Sequence, residues 1–124
     1  AYTVAAIQVS SAWTTIQSIT AQSSLGLTLF NFNWFYASTR SDTRYIVNYR
    51  ILKNGVEVVA PARIFLFEVN LGSNSATASP SGTLSLNYSD SSLIDGTYEL
   101  QLQLTAGSKM NFLNRYASAL VVRR

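Results

Sequence analysis

The sequence predicts an all-β domain, a two-sheet antiparallel β-sandwich of the jelly-roll type with about eight to ten strands. β-Branched and aromatic residues alternate with polar residues along most of the chain, and no segment shows the apolar periodicity of a helix. Turn signals recur at the short intervals that are typical of sandwiches. The 124 residues are expected to form one domain, 1–124, because this length suits a single core and no repeat divides it.

Strand-like segments lie near both ends of the sequence. Residues 2–9 and 13–20 are predicted to be two short strands joined at Ser10-Ser11, and residues 116–122 are predicted to be the last strand. We expect the first and last strands to lie side by side within one chain, since no Gly/Ser linker would let the first strand reach a neighbour. Donation of the first strand to a neighbouring subunit is the alternative.

The segment LGLTLFNFNWFY, residues 25–36, is predicted to be a long strand whose apolar positions change phase. Leucines occupy odd positions in its first half, and aromatic residues occupy even positions in its second half. We interpret the change at Leu29-Phe30 as a β-bulge, which would swap the inward face. Trp34 would then lie in the core, and Phe35, on the opposite face, is predicted to contact another subunit.

The segment RYIVNYRILKNGVEVV, residues 44–59, is predicted to be a β-hairpin. Its side chains alternate as a strand requires, and Asn54-Gly55 supplies the two positive-φ positions of a type I′ turn. A two-residue loop fixes the register of the strands on either side. The register predicts two pairs on this hairpin, Lys53 with Val56 and Ile51 with Val58, the second with both side chains on one face.

The next segments are predicted to be a strand and an exposed loop. Pro61 is expected to end the return strand of the hairpin or to lie on a sheet edge, because it cannot donate to a ladder. Residues 63–71, RIFLFEVNL, have apolar side chains on both faces, which favours a central strand or one in an interface. Phe65 and Phe67 are therefore candidates for an oligomer interface. Residues 72–82 are rich in Ser and Asn and are predicted to be a loop.

The remaining strands follow in quick succession. Residues 83–88 are predicted to be a short strand, and residues 89–96 a loop. Residues 97–105 show the clearest alternation in the chain, with Tyr98 and three leucines facing inward. A turn at 106–108 then leads into residues 109–113 and the last strand.

The composition excludes several kinds of chemistry. The chain has no cysteine and no histidine, which rules out disulfides, Cys/His zinc sites, thiol nucleophiles and histidine triads. We expect no enzyme activity, no cofactor and no metal. The net charge of +3 is too small and too scattered for a nucleic-acid footprint. Membrane insertion is not expected either, because every apolar stretch is shorter than the ~20 residues of a membrane helix.

Few polar residues stand out as candidate sites. Asp90 and Asp95 are the only closely spaced carboxylates, and one loop with two Asp residues favours turn chemistry over a glycosidase or calcium site. Residues 87–89 match the N-glycosylation sequon at Asn87, which is weak evidence in a Ser-rich chain. The charged residues of the segment 40–44 are predicted to lie in a solvated loop.

Two segments together carry a resemblance to a known family. NYRILKNGVEVV, residues 48–59, and DGTYELQLQLTAGSKMNFLNRYASALVV, residues 95–122, resemble small jelly-roll domains of the C1q/TNF type. Such domains cap bacterial collagen-like filaments of the spore surface, the exosporium, and some phage tail fibres. In them an Asn-Gly or Asp-Gly hairpin precedes a Gly-Thr-Tyr strand and a final apolar strand. The resemblance implies a jelly roll that works in a trimer or a fibre.

Two classes of function fit these observations. The first is a structural domain that assembles with copies of itself, as a trimer, another homo-oligomer or a filament, in an extracellular, cell-surface, spore-surface or virion assembly. Few charges, many Ser and Thr residues and two-sided apolar strands favour it. The second is a carbohydrate- or receptor-binding module, which needs an exposed aromatic ring bordered by polar groups. Trp13 and Tyr36 are the candidates for that ring.

Overall fold

The computed structural model describes residues 2–38, 44–68, 81–107 and 109–123, and nearly all of them lie in strands. The elements in chain order are β1 (Tyr2–Thr3), β2 (Ile7–Val9), β3 (Thr14–Ala21), a 3-10 turn (Ser23–Leu25), β4 (Gly26–Ser38), β5 (Arg44–Lys53), β6 (Val56–Glu68), β7 (Ser81–Asp90), β8 (Gly96–Ala106) and β9 (Met110–Arg123). The described ranges contain no α-helix. The prediction of an all-β chain is confirmed.

The strands form two antiparallel sheets. In the first sheet β1 and β2 both pair with one edge of β9, and β4 and β7 follow on its other side; the second sheet has the order β3-β8-β5-β6. Counting β1 and β2 as one interrupted strand, the first of eight strands pairs with the last, the second with the seventh, the third with the sixth and the fourth with the fifth. This is a long hairpin wound into a sandwich, which is the jelly-roll topology. The predicted fold class is confirmed.

The core lies between the two sheets and is built from alternate residues of the strands. β8 alternates strictly, and its inward side chains, Tyr98 and three leucines, are buried as predicted. Trp34 and Phe32 of β4 face them from the first sheet and are also fully buried. Large rings dominate this interior, so aromatic packing supplies much of the buried apolar area.

The prediction of a β-bulge at Leu29-Phe30 is wrong. The pairing of β4 with β7 runs without a register shift from Thr28 to beyond the aromatic residues, and the even positions face inward throughout. Leu27 and Leu29 lie on the outer face, each about 40% exposed. Thr28 takes the inward position because its hydroxyl donates to Ser23 Oγ at 3.0 Å, which satisfies the buried polar group.

A bulge does occur beside β4, but it lies in the partner strand β9. Asn33 pairs with Tyr116, whereas Phe35 pairs with Leu113, so β9 carries one extra residue between these two pairs. Asn114 lies in this bulge with a φ of 48°. Because the bulge keeps the strand continuous, the two segments predicted at 109–113 and 116–122 form a single strand.

A second bulge, in β3, faces the first across the sandwich. The register with β8 shifts at Ile16, whose carbonyl oxygen accepts a hydrogen bond from Arg115 Nη1 at 2.6 Å. In return, Gln17 Nε2 donates to the carbonyl oxygen of Arg115 at 3.0 Å. The carbonyl group at each bulge therefore accepts a hydrogen bond from a side chain at the other bulge. This exchange joins the two sheets along the side where β3 and β9 meet.

The hairpin has the predicted turn but a different register. Lys53 pairs with Val56, as predicted. A bulge in β6 then places Ile51 opposite Val59, and not opposite Val58. Val59 packs against the core, whereas Val58 is 41% exposed. The predicted pair of Ile51 with Val58 is therefore wrong, because the extra residue moves Val58 out of the ladder.

β6 is an edge strand of the second sheet. Pro61 lies within it, so the alternative of an edge position is confirmed and the alternative of a strand end is wrong. Residues 63–68 continue the same strand, which makes the expectation of a central strand wrong. The rest of that segment, 69–71, and most of the predicted loop, 72–80, lie outside the described residues.

The N-terminal segment pairs with the C-terminal strand of its own chain. Tyr2 pairs with Tyr116 and Val9 pairs with Met110, and the interruption at residues 4–6 separates β1 from β2. Val9 is fully buried, so the segment also contributes to the core. The prediction that the first and last strands lie side by side within one chain is confirmed.

We expect removal of residues 1–9 to cause aggregation, because it takes away a buried valine and leaves one edge of β9 unpaired. Removal of residues 1–3 alone is the matched control, since it keeps β2 on the sheet. The measurement is the soluble fraction after expression, followed by electron microscopy. A shorter chain that stays soluble and folded after loss of residues 1–9 would contradict the structural role of this pairing.

Candidate functional site

Exposed apolar side chains concentrate at one end of the sandwich. Among the described residues twelve large apolar side chains are exposed, and eight of them lie at the end that carries the hairpin tip. Hydrogen bonds hold the loops of this end together: the Asn54 amide donates to the Thr97 carbonyl at 2.9 Å, and the Ser24 amide donates to Asp95 Oδ1 at 2.9 Å. We call these eight residues the apolar end: Leu25, Leu27, Leu29, Val56, Val58, Ile94, Leu120 and Val122.

One part of the apolar end lies on the outer face of the first sheet. Leu27 of β4 is paired with Val122 of β9, and Leu29 is paired with Leu120. Side chains directly opposite on one face of an antiparallel pair are close neighbours. These four residues, the leucine strip, therefore form one patch, and Leu120 is the most exposed of them at 63%.

The other part surrounds a groove at the side of the sandwich where β6 and β7 are the edge strands. This edge groove has a volume of about 340 Å³. Val56 and Val58 of β6, Tyr88 of β7 and Ile94 of the β7–β8 loop form its apolar walls. Tyr88 also lines a neighbouring hollow of about 330 Å³ together with Leu29. Asn87 and Ser89 complete the lining of this hollow, which lies between the leucine strip and the edge groove.

A buried ion pair forms the base of the edge groove. Lys53 Nζ lies 2.7 Å from Asp90 Oδ2, and the two side chains are only 10% and 7% exposed. Lys53 also donates to Ser92 Oγ at 2.8 Å, and its ammonium lies 5.2 Å from the centroid of the Tyr98 ring. Ser92 N donates to Asp90 Oδ1 at 2.8 Å. Both charged groups therefore have their partners within the chain.

Hydroxyl groups continue this network into the core. The Tyr98 hydroxyl donates to Asp90 and lies 2.9 Å from Ser23 Oγ, which in turn accepts from Thr28 Oγ1. Since Tyr98 gives its only proton to Asp90, Ser23 must be the donor toward Tyr98. The chain of donors runs from Thr28 through Ser23 and Tyr98 to the carboxylate, and it links β4 of the first sheet to β8 of the second.

The network fixes the protonation states of its members. Burial alone would raise the pKa of Asp90, but hydrogen bonds from Lys53, Tyr98 and Ser92 outweigh it and hold that pKa well below its ordinary value. Burial would lower the pKa of Lys53, and the contacts with Asp90 and Tyr98 raise it instead. The pKa values of Tyr98 and Tyr88 are raised, mainly by burial. The pair is charged and the tyrosines are neutral across the ordinary range of pH.

The ion pair of Lys53 and Asp90 and its hydroxyl partners are suited to a structural role. Both carboxylate oxygens of Asp90 accept hydrogen bonds, which leaves no base directed at a substrate. In the described ranges, no group of three or more His, Cys, Asp or Glu side chains could hold a metal ion. The described part of the chain also has no helix that is long and apolar enough to span a bilayer.

The predicted turn role is confirmed for Asp90 and stays a prediction for Asp95. Asp90 accepts from the backbone of Ser92, two residues further along the chain. Asp95 instead accepts from the backbone of Ser24, 71 residues away, and hydrogen bonding to the side chain and backbone of Ser24 lowers the pKa of Asp95. The ion pair with Lys53 was not predicted, because the two residues lie 37 positions apart in the sequence. Only the fold, which places the hairpin tip beside the end of β7, brings them together.

The candidate ligand-facing rings are in contact with other side chains of the chain. The guanidinium carbon of Arg50 lies 4.5 Å from the centroid of the Trp13 ring, which is half-buried. Arg50 is in turn held by Gln101 Oε1 at 2.7 Å and by Glu57 at 3.6 Å. The Tyr36 ring packs against the core.

The candidate interface residues lie in two places. Phe65 and Phe67 are half-buried and pack against the core, and their ring centroids lie 4.7 Å from Tyr36 and 6.1 Å from Tyr45. Phe35 lies on the outer face of the first sheet and is half-buried. A subunit contact through these three residues stays a prediction.

The sequon residue Asn87 lies in the described part of the chain, and the segment 40–44 lies mostly outside it. Asn87 is exposed on β7, and its Oδ1 accepts from Asn31 Nδ2 at 2.7 Å. Arg40 and Asp42 lie outside the described residues, whereas Arg44 begins β5 and is exposed. Neither place adds a member to the apolar end.

Comparison with solved structures shows what the chain resembles in three dimensions. It matches a chain in the structure of infectious bursal disease virus, Gx strain, with a TM-score of 0.51 and 16% identity over 98% of its length. The Gt strain of the same virus gives a TM-score of 0.52 and 12% identity over 98% of the chain. These matches show the fold. The chain spans 30% and 31% of the length of those two chains.

Comparisons of sequence gave no relative. No family model and no curated protein matches the chain. The jelly roll that the resemblance to C1q/TNF domains implied is present, and membership of that family stays a prediction.

Proposed function

We propose that the chain is a non-catalytic structural domain that associates with copies of itself, and that it does so in a virion or another extracellular surface assembly. The observation that carries this proposal is the apolar end. An isolated domain has no need of eight large exposed apolar side chains at one end, because single exposed residues are ordinary and clusters of them mark contact sites.

The exposure and charge of this surface fit contacts with like copies. The eight side chains are 39% to 67% exposed, so each has apolar area that a partner can bury. Lys53 and Asp90 neutralise each other at the base of the groove, so a second copy of the same surface meets no unpaired buried charge there.

The fold gives a second line of support for the location. Its structural neighbours are chains from virus structures, and assembly from many copies of one domain suits a virion. Only 12% of residues are charged, so much of the surface is either neutral and polar or apolar. A location in a filament of the spore or cell surface is supported only by the resemblance to C1q/TNF domains.

Binding of glycans or a receptor is the second candidate, and it has less support. A sugar-binding ring needs an open face bordered by free polar groups. Arg50 covers one face of Trp13, and Tyr36 packs against Phe65 and the core. These contacts reduce the ring surface that a sugar could reach on both residues.

Substitution within the leucine strip tests the proposal. We expect the double variant Leu29→Thr, Leu120→Thr to have the mass of one chain, 13.6 kDa, while the unmodified protein has a multiple of it. Threonine suits an exposed strand position, so the fold should survive. The measurement is size-exclusion chromatography with light scattering.

Leu66→Thr is the matched control, since Leu66 is 45% exposed on β6 but lies outside the apolar end. It should leave the mass of the oligomer unchanged. An oligomer that survives the double variant, or dissociates equally in the control, would contradict association through the apolar end.

A further inference from the structure

The apolar end has two parts that differ in shape. The leucine strip lies on the outer face of a sheet, where side chains stand out from the surface. The edge groove is concave, with about 340 Å³ between the walls formed by Val56, Val58, Ile94 and Tyr88. A protruding apolar strip and an apolar groove of this size are complementary surfaces.

The two parts also point in different directions. The strip faces away from the first sheet along its normal, whereas the groove opens at the side where β6 and β7 end the two sheets. A face and an edge of a sheet are perpendicular, so one flat contact with a single partner covers only one of them. A two-fold contact of strip on strip would leave both grooves open, and a contact of groove on groove would enclose a void.

We propose that the leucine strip of one copy packs into the edge groove of the next copy, so that the chains associate head to tail. This inference rests on the proposed function and adds the geometry of the contact. Each copy then uses its strip toward one neighbour and its groove toward another. Such a heterologous contact closes into a ring or continues as a filament, depending on the rotation between copies.

The groove can accept aliphatic side chains because the polar groups at its base already have hydrogen-bond partners. The Lys53 ammonium already donates to Asp90 and to Ser92 and lies over the Tyr98 ring, and both oxygens of Asp90 are occupied. Entry of an apolar side chain therefore breaks no hydrogen bond at the base. A volume of this size is at the low end for a ligand pocket and suits a few side chains of a partner.

Disulfide trapping tests this geometry, because the chain contains no cysteine of its own. The variants Leu120→Cys, in the strip, and Ile94→Cys, at the groove, are prepared separately, mixed in equal amounts and oxidised with oxidised glutathione. We expect a dimer that joins one copy of each variant, identified by mass spectrometry of the linked peptides. Its yield should exceed that of a mixture of Leu120→Cys with Leu66→Cys by about tenfold or more, since the contact raises the effective concentration.

A second pair, Val122→Cys with Val56→Cys, keeps the test valid if one variant of the first pair fails to fold. Dimers that join two copies of Leu120→Cys to each other would overturn the head-to-tail geometry and indicate a two-fold contact, while self-association itself would stand. Cross-linking no better than that of the Leu66→Cys control would overturn the inference. If light scattering then shows oligomers, the proposed function survives, and if it shows only single chains, the proposed function fails as well.

Discussion

Replacement of Trp34 by alanine is expected to destabilise the domain by about 3 to 5 kcal/mol, which is the usual cost of removing a large ring from a core. Trp34 is 2% exposed and lies on β4 opposite the bulge of β9. Its Nε1 has no hydrogen-bond partner among the described residues, so the loss is one of packing. The free energy of unfolding in urea, followed by circular dichroism, measures the effect.

Phe35→Ala is the matched control, because the neighbouring ring lies on the outer face and is half-buried. We expect a cost of about 1 kcal/mol, since less apolar area returns to water. If Trp34→Ala kept the stability of the unmodified protein, the ring would have to serve a purpose other than packing.

Replacement of Lys53 by methionine is expected to cost about 3 kcal/mol, because it leaves Asp90 buried without its cation. Methionine keeps the length and the apolar stem of the side chain, so the change is mainly one of charge. Glu57→Gln is the control: the ion pair of Glu57 with Arg50 is half-exposed, and its loss should cost no more than about 0.5 kcal/mol. Urea unfolding at neutral pH measures both.

The same ion pair predicts how stability depends on pH. The pKa of Asp90 is lowered by folding, so its stabilisation is present above the pKa of the unfolded carboxyl, about 4, and is lost as the pH falls toward the folded value. The pKa of Lys53 is raised, so its stabilisation is present below about 10.4 and is lost as the pH rises through the folded value. Lys53→Met should weaken the acid dependence. An unchanged acid limb in that variant would contradict the role of the pair.

The fold could be predicted from local patterns where those patterns are complete. The strict alternation of β8 predicted its inward side chains, and Asn54-Gly55 predicted the turn of the hairpin, because both signals depend on neighbours in sequence. The aromatic even positions of β4 likewise predicted the burial of Trp34. Turn signals between short strands then favoured a sandwich.

The bulges could not be placed in the same way. A change of phase in one strand has two explanations, a bulge or a strand whose outer face is also apolar, and β4 has the second. Thr28 can occupy the inward position because its buried hydroxyl donates a hydrogen bond to Ser23, so the even positions of β4 face the core without a bulge. The exchange between Gln17 and Arg115 is also invisible in the sequence, since it joins bulges 98 residues apart.

The candidate site was missed for a related reason. Leu27 and Leu29 look like core residues in the sequence, and only the structure shows that they share the outer face with Leu120 and Val122. Lys53 and Asp90 become partners through the winding of the hairpin. A surface assembled from four distant segments has no local signature that a sequence pattern could reveal.

The mass of the unmodified protein across a series of concentrations, measured by sedimentation equilibrium, tests the central claim most directly. Self-association through the apolar end predicts a mass that rises with concentration to a multiple of 13.6 kDa. A mass that stays at 13.6 kDa up to the highest concentration reached would contradict it.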